Sequence, residues 1–152
     1  MIKKNPDTKI KSKKVKLIVK FPEGKYTYAI GRRKTSIAQV RIYEKGKGNI
    51  TINNVDFEKY LPTKILQDKV LLPLKQVAKE GLVDVHVKAI GGGKNGQAEA
   101  TRLGISMGLV KIDAEFRPVL KKLGLLTRDS RMVERKKPGR PKARKRFQFS
   151  KR

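Results

Sequence analysis

Apolar residues in the middle of the chain first recur at every second position. Tyr26 to Ile30 and Ser36 to Tyr43 are rich in β-branched and aromatic residues, and in the second run Ala38, Val40 and Ile42 alternate with Gln39, Arg41 and Tyr43. A period of two puts alternate side chains on opposite faces of a strand, so both runs are predicted strands. Gly46-Lys47-Gly48-Asn49 offers residues that accept positive φ for a loop, and Ile50-Thr51-Ile52 reads as a third short strand. An antiparallel meander is the expected pairing. From Asp56 the spacing lengthens, and Leu66, Val70, Leu74 and Val77 fall on one helical stripe. Pro73 interrupts that stripe and is expected to open a second short helix, with Gly81 closing the region. Val83, Val85, Val87 and Ala89 then alternate with Asp84, His86 and Lys88 as a fourth strand with one buried face.

After the glycines at 91 to 93, a helix is expected from about Gly96 to Lys111, burying Ala98, Thr101, Ile105, Leu109 and Ile112. Its small residues, Ala100, Gly104, Ser106 and Gly108, would let it lie close to the sheet. A last short helix runs from near Arg117-Pro118 to Leu123, with Gly124 as its C-cap. These elements predict an α+β fold: a small, mostly antiparallel sheet with helices packed on one face. No internal repeat is present.

Charge divides the chain into three zones. Over its 152 residues, 39 Lys and Arg oppose 13 acids, a formal net charge of +26. Residues 1–24 hold eight Lys against Asp7 and Glu23, with one possible edge strand at Val15 to Val19. Residues 128–152 hold twelve cations against Asp129 and Glu134, and Pro138, Gly139 and Pro141 block a helix there. The ends thus carry 16 of the 26 net charges, and residues 25–127 form one domain of ordinary hydrophobic content. Such a charge is costly to compact unless a polyanion stays bound. No amphipathic basic helix points to a membrane surface, so nucleic acid is the favoured partner. The absence of cysteine excludes disulfides, thiolate metal sites and Cys nucleophiles, and fits a reducing compartment. No apolar run is long enough to span a bilayer or act as a secretory core. The first 22 residues are Lys-rich without Arg, which argues against a transit peptide.

Three segments carry candidate chemistry. Gly91-Gly92-Gly93-Lys94-Asn95-Gly96 satisfies G-x-G-x-x-G between a predicted strand and helix, with Asp113 further on. A dinucleotide fold would need another strand after that helix, and none is expected. A Walker A loop is also excluded, because Gln97-Ala98 follows Gly96. Two compatible readings remain: the glycines permit a tight turn, and the backbone amides at a helix start can approach a phosphate. Arg32, Arg33 and Lys34, in the expected loop Gly31 to Ser36, are candidate phosphate contacts, and Arg102 and Lys111 extend that surface. In the last zone Arg128, Arg131, Arg135, Lys136, Lys137, Arg140, Lys142, Arg144, Lys145 and Arg146 supply the charge. Phe147 and Phe149 interleave with the last cations, a combination that can neutralise phosphates and stack on bases or ribose. His86, the single histidine, has no ligand partners at metal spacing. No acid pair or Ser-His constellation is placed for catalysis, so no enzyme and no cofactor is expected.

These segments together resemble ribosomal protein S9 of the small subunit, in its bacterial or organellar form. The resemblance runs from about Tyr26 to Arg152. It rests on Gly31-Arg32-Arg33-Lys34-Thr35, Gly91-Gly92-Gly93 with Gly96-Gln97 and Ala100, Leu125-Leu126-Thr127-Arg128-Asp129, Val133-Glu134-Arg135-Lys136-Lys137 and Gln148-Phe149-Ser150-Lys151-Arg152. It implies the ribosomal S5 second-domain-like fold with a left-handed βαβ crossover, and a structural role on 16S-type rRNA in the subunit head, beside other head proteins and without homo-oligomers. Localisation would be cytoplasmic, in the small ribosomal subunit, with an organellar ribosome as the alternative. By position, the implied rRNA contacts are Arg32, Arg33, Lys34, Gly91, Gly92, Gly93, Lys94, Gln97 and the tail cations. Ser150, Lys151 and Arg152 would approach the anticodon stem-loop of P-site tRNA. The chain departs from the family at Met107, where a basic residue is usual, and in the arm before Lys25, which the short bacterial form lacks. That arm is expected to touch rRNA through Lys9, Lys11, Lys13 and Lys14. The alternative is an RNA-binding or chaperone protein acting outside the ribosome.

Overall fold

A computed structural model describes residues 21, 22 and 24–151; the possible edge strand at 15–19 and the arm lysines lie outside them. Strand β1 (Thr27–Arg33) turns into β2 (Ser36–Tyr43) through Lys34 and Thr35 alone, and the ladder pairs Thr27 with Ile42 and Arg33 with Ser36. The expected loop from Gly31 to Ser36 is therefore mostly strand. Its charge suggested a loop, but the alternation continues: Gly31 faces the core, Arg32 faces away, and Arg33 turns back toward the helices.

The expected meander is not formed. Strand β5 (Asp84–Ile90) pairs antiparallel with β2, β3 (Ile50–Ile52) pairs parallel with β5, and β4 (Val55–Asp56) lies at the edge, so the sheet order is β1-β2-β5-β3-β4. The reason lies in the loop after β2. The Asp84 carboxylate accepts hydrogen bonds from the amides of Lys47 and Asn49, both at 2.8 Å, and Gly46 donates to the Leu82 carbonyl. These bonds carry the chain across the start of β5 to its far edge. There β3 forms a hairpin with β4 through Asn53 and Asn54, both at positive φ, as a twist-matched two-residue turn demands.

All helices lie on one face, as expected. The short α1 (Phe57–Tyr60) leads into α2 (Lys64–Gln76), which is one continuous helix through Pro73. Pro73 sits close to the helix end and is buried, so one missing hydrogen bond is offset by packing. The helix closes before Gly81: Ala78 at φ 52 donates to Lys75, and Lys79 donates to Leu74, a two-bond left-handed cap. Helix α3 (Lys94–Ile112) crosses β1 and β2, and α4 (Phe116–Lys122) ends at Gly124 with the same bond pattern. Among the described residues no helix is long and apolar enough to cross a membrane.

Three glycines inside α3 each cost about 1 kcal/mol of helix propensity relative to alanine. Full burial of Ile105 and Leu109 returns about 1.5–3 kcal/mol apiece, and the small residues add contact between backbones. A Cβ at Gly31 would fall on the Ala100 carbonyl oxygen and against the Gly104 amide. Since both obstacles are backbone, Gly31→Ala is expected to lose at least about 3 kcal/mol in chemical denaturation. Gly93→Ala, where a Cβ meets nothing within 4 Å, is expected to stay within about 1 kcal/mol of the parent.

Candidate nucleic-acid interface

The two charged turns singled out in the sequence meet at one end of the sheet. Gly91 and Gly92, at φ 74 and 62, bring the end of β5 onto the β1–β2 turn. A Cβ on Gly91 would lie 2.6 Å from the Thr35 carbonyl oxygen, and one on Gly92 would strike Ser36 Oγ. Ser36 Oγ donates to the Gly91 carbonyl at 3.1 Å and fixes the junction. The tight-turn reading of these glycines therefore holds, and it places the α3 N-terminus against the β1–β2 turn, where Gly96 lies near Ser36 Oγ and the Arg33 carbonyl. Gly93 occupies the N-cap position without a side-chain hydrogen bond, and Gly91, Gly92, Gly93, Lys94 and Asn95 are exposed. The first amides of α3 thus open to solvent beside a basic turn, an arrangement suited to anions.

Gln97 is tied into the turn. Its Nε2 donates to the Gly91 carbonyl at 3.1 Å, while its Oε1 accepts from the Tyr60 hydroxyl at 2.6 Å. Asn53 extends this chain: its side chain bonds both the amide and the carbonyl of Ala89, prolonging the sheet beyond β3. Gln97 therefore holds the turn in shape. The Lys94 ammonium lies 3.2 Å from the centre of the Tyr60 ring, which places its charge above that junction.

Among Arg32, Arg33 and Lys34, strand parity separates the roles. Arg32 and Lys34 are exposed, whereas the Arg33 side chain keeps only 12% of its surface. Arg33 Nε donates to Glu99 Oε2 at 2.7 Å, Nη1 donates to the Arg131 carbonyl at 2.6 Å, and Nη2 pairs with Asp129 Oδ2 at 3.1 Å. The other Glu99 oxygen binds Lys69, whose ammonium also reaches Asn95. Arg33 is thus a clasp between α3 and the root of the tail. The sequence grouped it with two outward cations because a charge run conceals which face each residue takes. A detectable signal lay in the acids: a carboxylate inside a strongly basic segment has cations at every side.

The tail beyond Thr127 forms no regular element among its described residues, and its acids act as local ties. Asp129 accepts the Arg131 amide and guanidinium, and Glu134 binds Lys137 at 2.8 Å and Arg144 at 2.9 Å. These exposed pairs contribute little individually. Arg128, Arg135, Lys136, Lys142, Lys145, Arg146, Ser150 and Lys151 are exposed, and Arg140 is half-buried; Arg152 lies outside the described residues. Phe147 and Phe149 are 72% and 91% exposed. His86 faces the open side of the sheet, its Nδ1 2.7 Å from Thr51 Oγ1 and its ring edge-on to Tyr43. Burial lowers its pKa, partly offset by Asp84.

Comparison with known proteins adds an independent line. Residues 31–152 match the family model described as ribosomal protein S9/S16. The small ribosomal subunit protein uS9 of Cytophaga hutchinsonii is 58% identical over 124 residues, covering 82% of this chain and 96% of that protein. Those of Amoebophilus asiaticus and Maridesulfovibrio salexigens are 54% and 53% identical, covering 82% and 84% of this chain and 96% and 97% of their own lengths.

The clasp has a defined acid limit. Burial pushes the Glu99 carboxyl up, but hydrogen bonds from Arg33 and Lys69 outweigh it and hold its pKa below the ordinary 4.5. Hydrogen bonds from Arg131 hold Asp129 far below its ordinary 3.8. A carboxyl depressed by folding contributes stability that is full above its unfolded value and is lost as the pH falls through the folded one. The Arg33 Nε–H and Arg131 amide resonances should therefore stay constant through neutral and mildly acidic pH and move only below the ordinary carboxylate range. Glu99→Gln should cost about 1–3 kcal/mol in denaturation and speed amide exchange at Arg131.

Proposed function

The chain belongs to the ribosomal protein S9/S16 family and is a ribosomal protein of the small subunit, and from that premise we propose that it binds 16S-type rRNA in the subunit head and contacts P-site tRNA with the end of its tail. The observation that carries this reading is the convergence at one sheet end of an exposed basic turn, an uncapped helix start and the clasped root of a basic tail. Each part suits a different portion of a polyanion. Arg32 and Lys34 offer charge-assisted hydrogen bonds, and the α3 amides offer a partial positive charge without a side chain. From Arg128 onward the chain forms no regular element and most of its cations face outward, so on binding they can track a backbone that no compact surface of this size could follow.

Phosphate neutralisation also answers the self-repulsion of a +26 chain. The exposed phenylalanines give the tail surfaces that can stack on bases or ribose. Contact with tRNA falls to Ser150, Lys151 and Arg152. The protein works by binding and positioning in the cytoplasmic ribosome, among neighbouring head proteins.

Sedimentation of a lysate tests the ribosomal role. The chain should migrate with the small subunit through a high-salt wash, and full release into the light fractions would instead indicate an RNA-binding protein acting outside the ribosome. Subunits carrying Lys151→Ala with Arg152→Ala should bind P-site tRNA more weakly, with a salt dependence reduced by up to about one counterion per lost phosphate contact. Unchanged affinity and slope would remove the tRNA contact from the proposal.

A further inference from the structure

Where the root of the tail passes the end of β1, side chains of β1, α3 and the tail enclose a cavity of about 190 Å³. Its lining contains four guanidinium groups, from Arg32, Arg33, Arg102 and Arg131, against two carboxylates, from Glu99 and Asp129. Both carboxylates are already engaged, Glu99 by Arg33 and Lys69 and Asp129 by Arg33 and Arg131. Arg32 and Arg102 make no ion pair among the described residues. Arg32 stands at the exposed rim. Arg102 is half-buried, and its Nε is sealed from solvent without a hydrogen-bond partner. That orphaned donor marks a guanidinium the protein alone leaves unsatisfied, and because the atom has no surface on the cavity an entering group must turn the side chain to reach it. Leu103 and Leu125 complete the wall and limit the screening of any charge placed there.

The geometry points to this cavity as a seat for one phosphate group of an RNA backbone, held by Arg102 within and Arg32 at the rim. The inference rests on the RNA-bound reading above and adds a specific contact to it. A phosphodiester suits the site because it carries one negative charge and two free oxygens, one for each unpaired guanidinium. The cavity spans several water volumes of about 30 Å³, so the group can enter without displacing the clasp. The tail leaves the domain here, which puts the seat at the start of the path its cations follow. From the sequence Arg102 is only an extension of the basic surface, because the residues that meet it around the cavity, Thr127, Asp129 and Arg131, are distant along the chain.

The test is equilibrium binding of the full chain to small-subunit rRNA from 50 to 200 mM salt, for the parent, Arg102→Gln, Arg32→Gln and Arg102→Lys. Loss of one phosphate contact should flatten the log–log salt slope by about 0.7–0.9, so that across this range each Gln variant loses about threefold less affinity than the parent. Arg102→Lys should recover most of the slope. If Arg102→Gln fails to fold, chemical modification of Arg102 by phenylglyoxal in the parent carries the measurement: bound rRNA should protect it, and unchanged modification would overturn the seat. Parental slopes in the folded Gln variants would overturn the seat while leaving the RNA-bound reading intact. A parent without rRNA affinity would overturn that reading and the seat with it. Thermal stabilisation by inorganic phosphate at matched ionic strength, dependent on Arg102 but with no change in the rRNA slope, would make the site one for free phosphate and overturn its assignment to the backbone.

Discussion

The close approach of the α3 backbone to β1 is the constraint on which the other features depend. Because Gly31 has no side chain, the Ala100 carbonyl and Gly104 amide can lie directly against the strand. Opposite Val40 and Ile42, Gly104 and Gly108 continue the same fit along β2. Dispersion falls off steeply with distance, so a helix held even an ångström further away would lose much of this contact. The close seating also sets the geometry at the end of the sheet. It brings the α3 N-terminus level with the β1–β2 turn and puts Glu99 within reach of Arg33. From Arg33 the connection runs on to Asp129 and the tail.

The placement of the few acids is the second organising feature. In a chain with 39 cations, a carboxylate can find a partner almost anywhere, and an exposed pair is worth little. The Arg33–Glu99–Lys69 and Arg33–Asp129 contacts differ because Arg33 is largely removed from water and uses three separate nitrogens on three acceptors. Breaking one arm leaves a poorly solvated charge, so the cost exceeds that of an exposed pair. Asp129 and Glu134 shape the tail locally, while most of its cations stay outward. Acids used as internal ties leave the outward surface basic.

Legibility in the sequence followed the range of the interaction concerned. Period-two alternation located β2 and β5, and the small residues of α3 foretold a helix lying close to the sheet, since both signals are local. The order of the strands was not local: it depends on Asp84 bonding a loop whose residues precede it by more than 30 positions. The expected second helix at Pro73 failed: the proline loses the bond to Lys69 and crowds its carbonyl, but it stands in the last turn of the helix and is buried, and that burial offsets the cost. Arg33 was recognised as charged and misplaced as a loop residue. Its strand parity becomes visible only once Gly31 is known to face α3. Gln97 was singled out by resemblance, yet its partners Gly91 and Tyr60 lie on other elements. The open glycine turn itself was legible, because an uninterrupted triple glycine has few other uses.

The clasp also bears on how an extended tail can bind tightly. On the proposed RNA partner, each backbone residue fixed would cost about 1–2 kcal/mol of conformational entropy, set against every contact the tail would make. A tail free from its first residue would also have to select its direction of exit on binding. Here Leu125 is buried, and Asp129 and the Arg131 carbonyl are held by Arg33, so the first turn away from the domain is set before any partner arrives. Preorganisation of that root lowers the ordering cost where a domain-bound phosphate would already fix the register. Further along, the chain forms no regular element, and Phe147 and Phe149 stand clear of the protein. The gradient from clasped root to exposed tip lets the globular part determine where binding starts and leaves the end adaptable to the surface it meets.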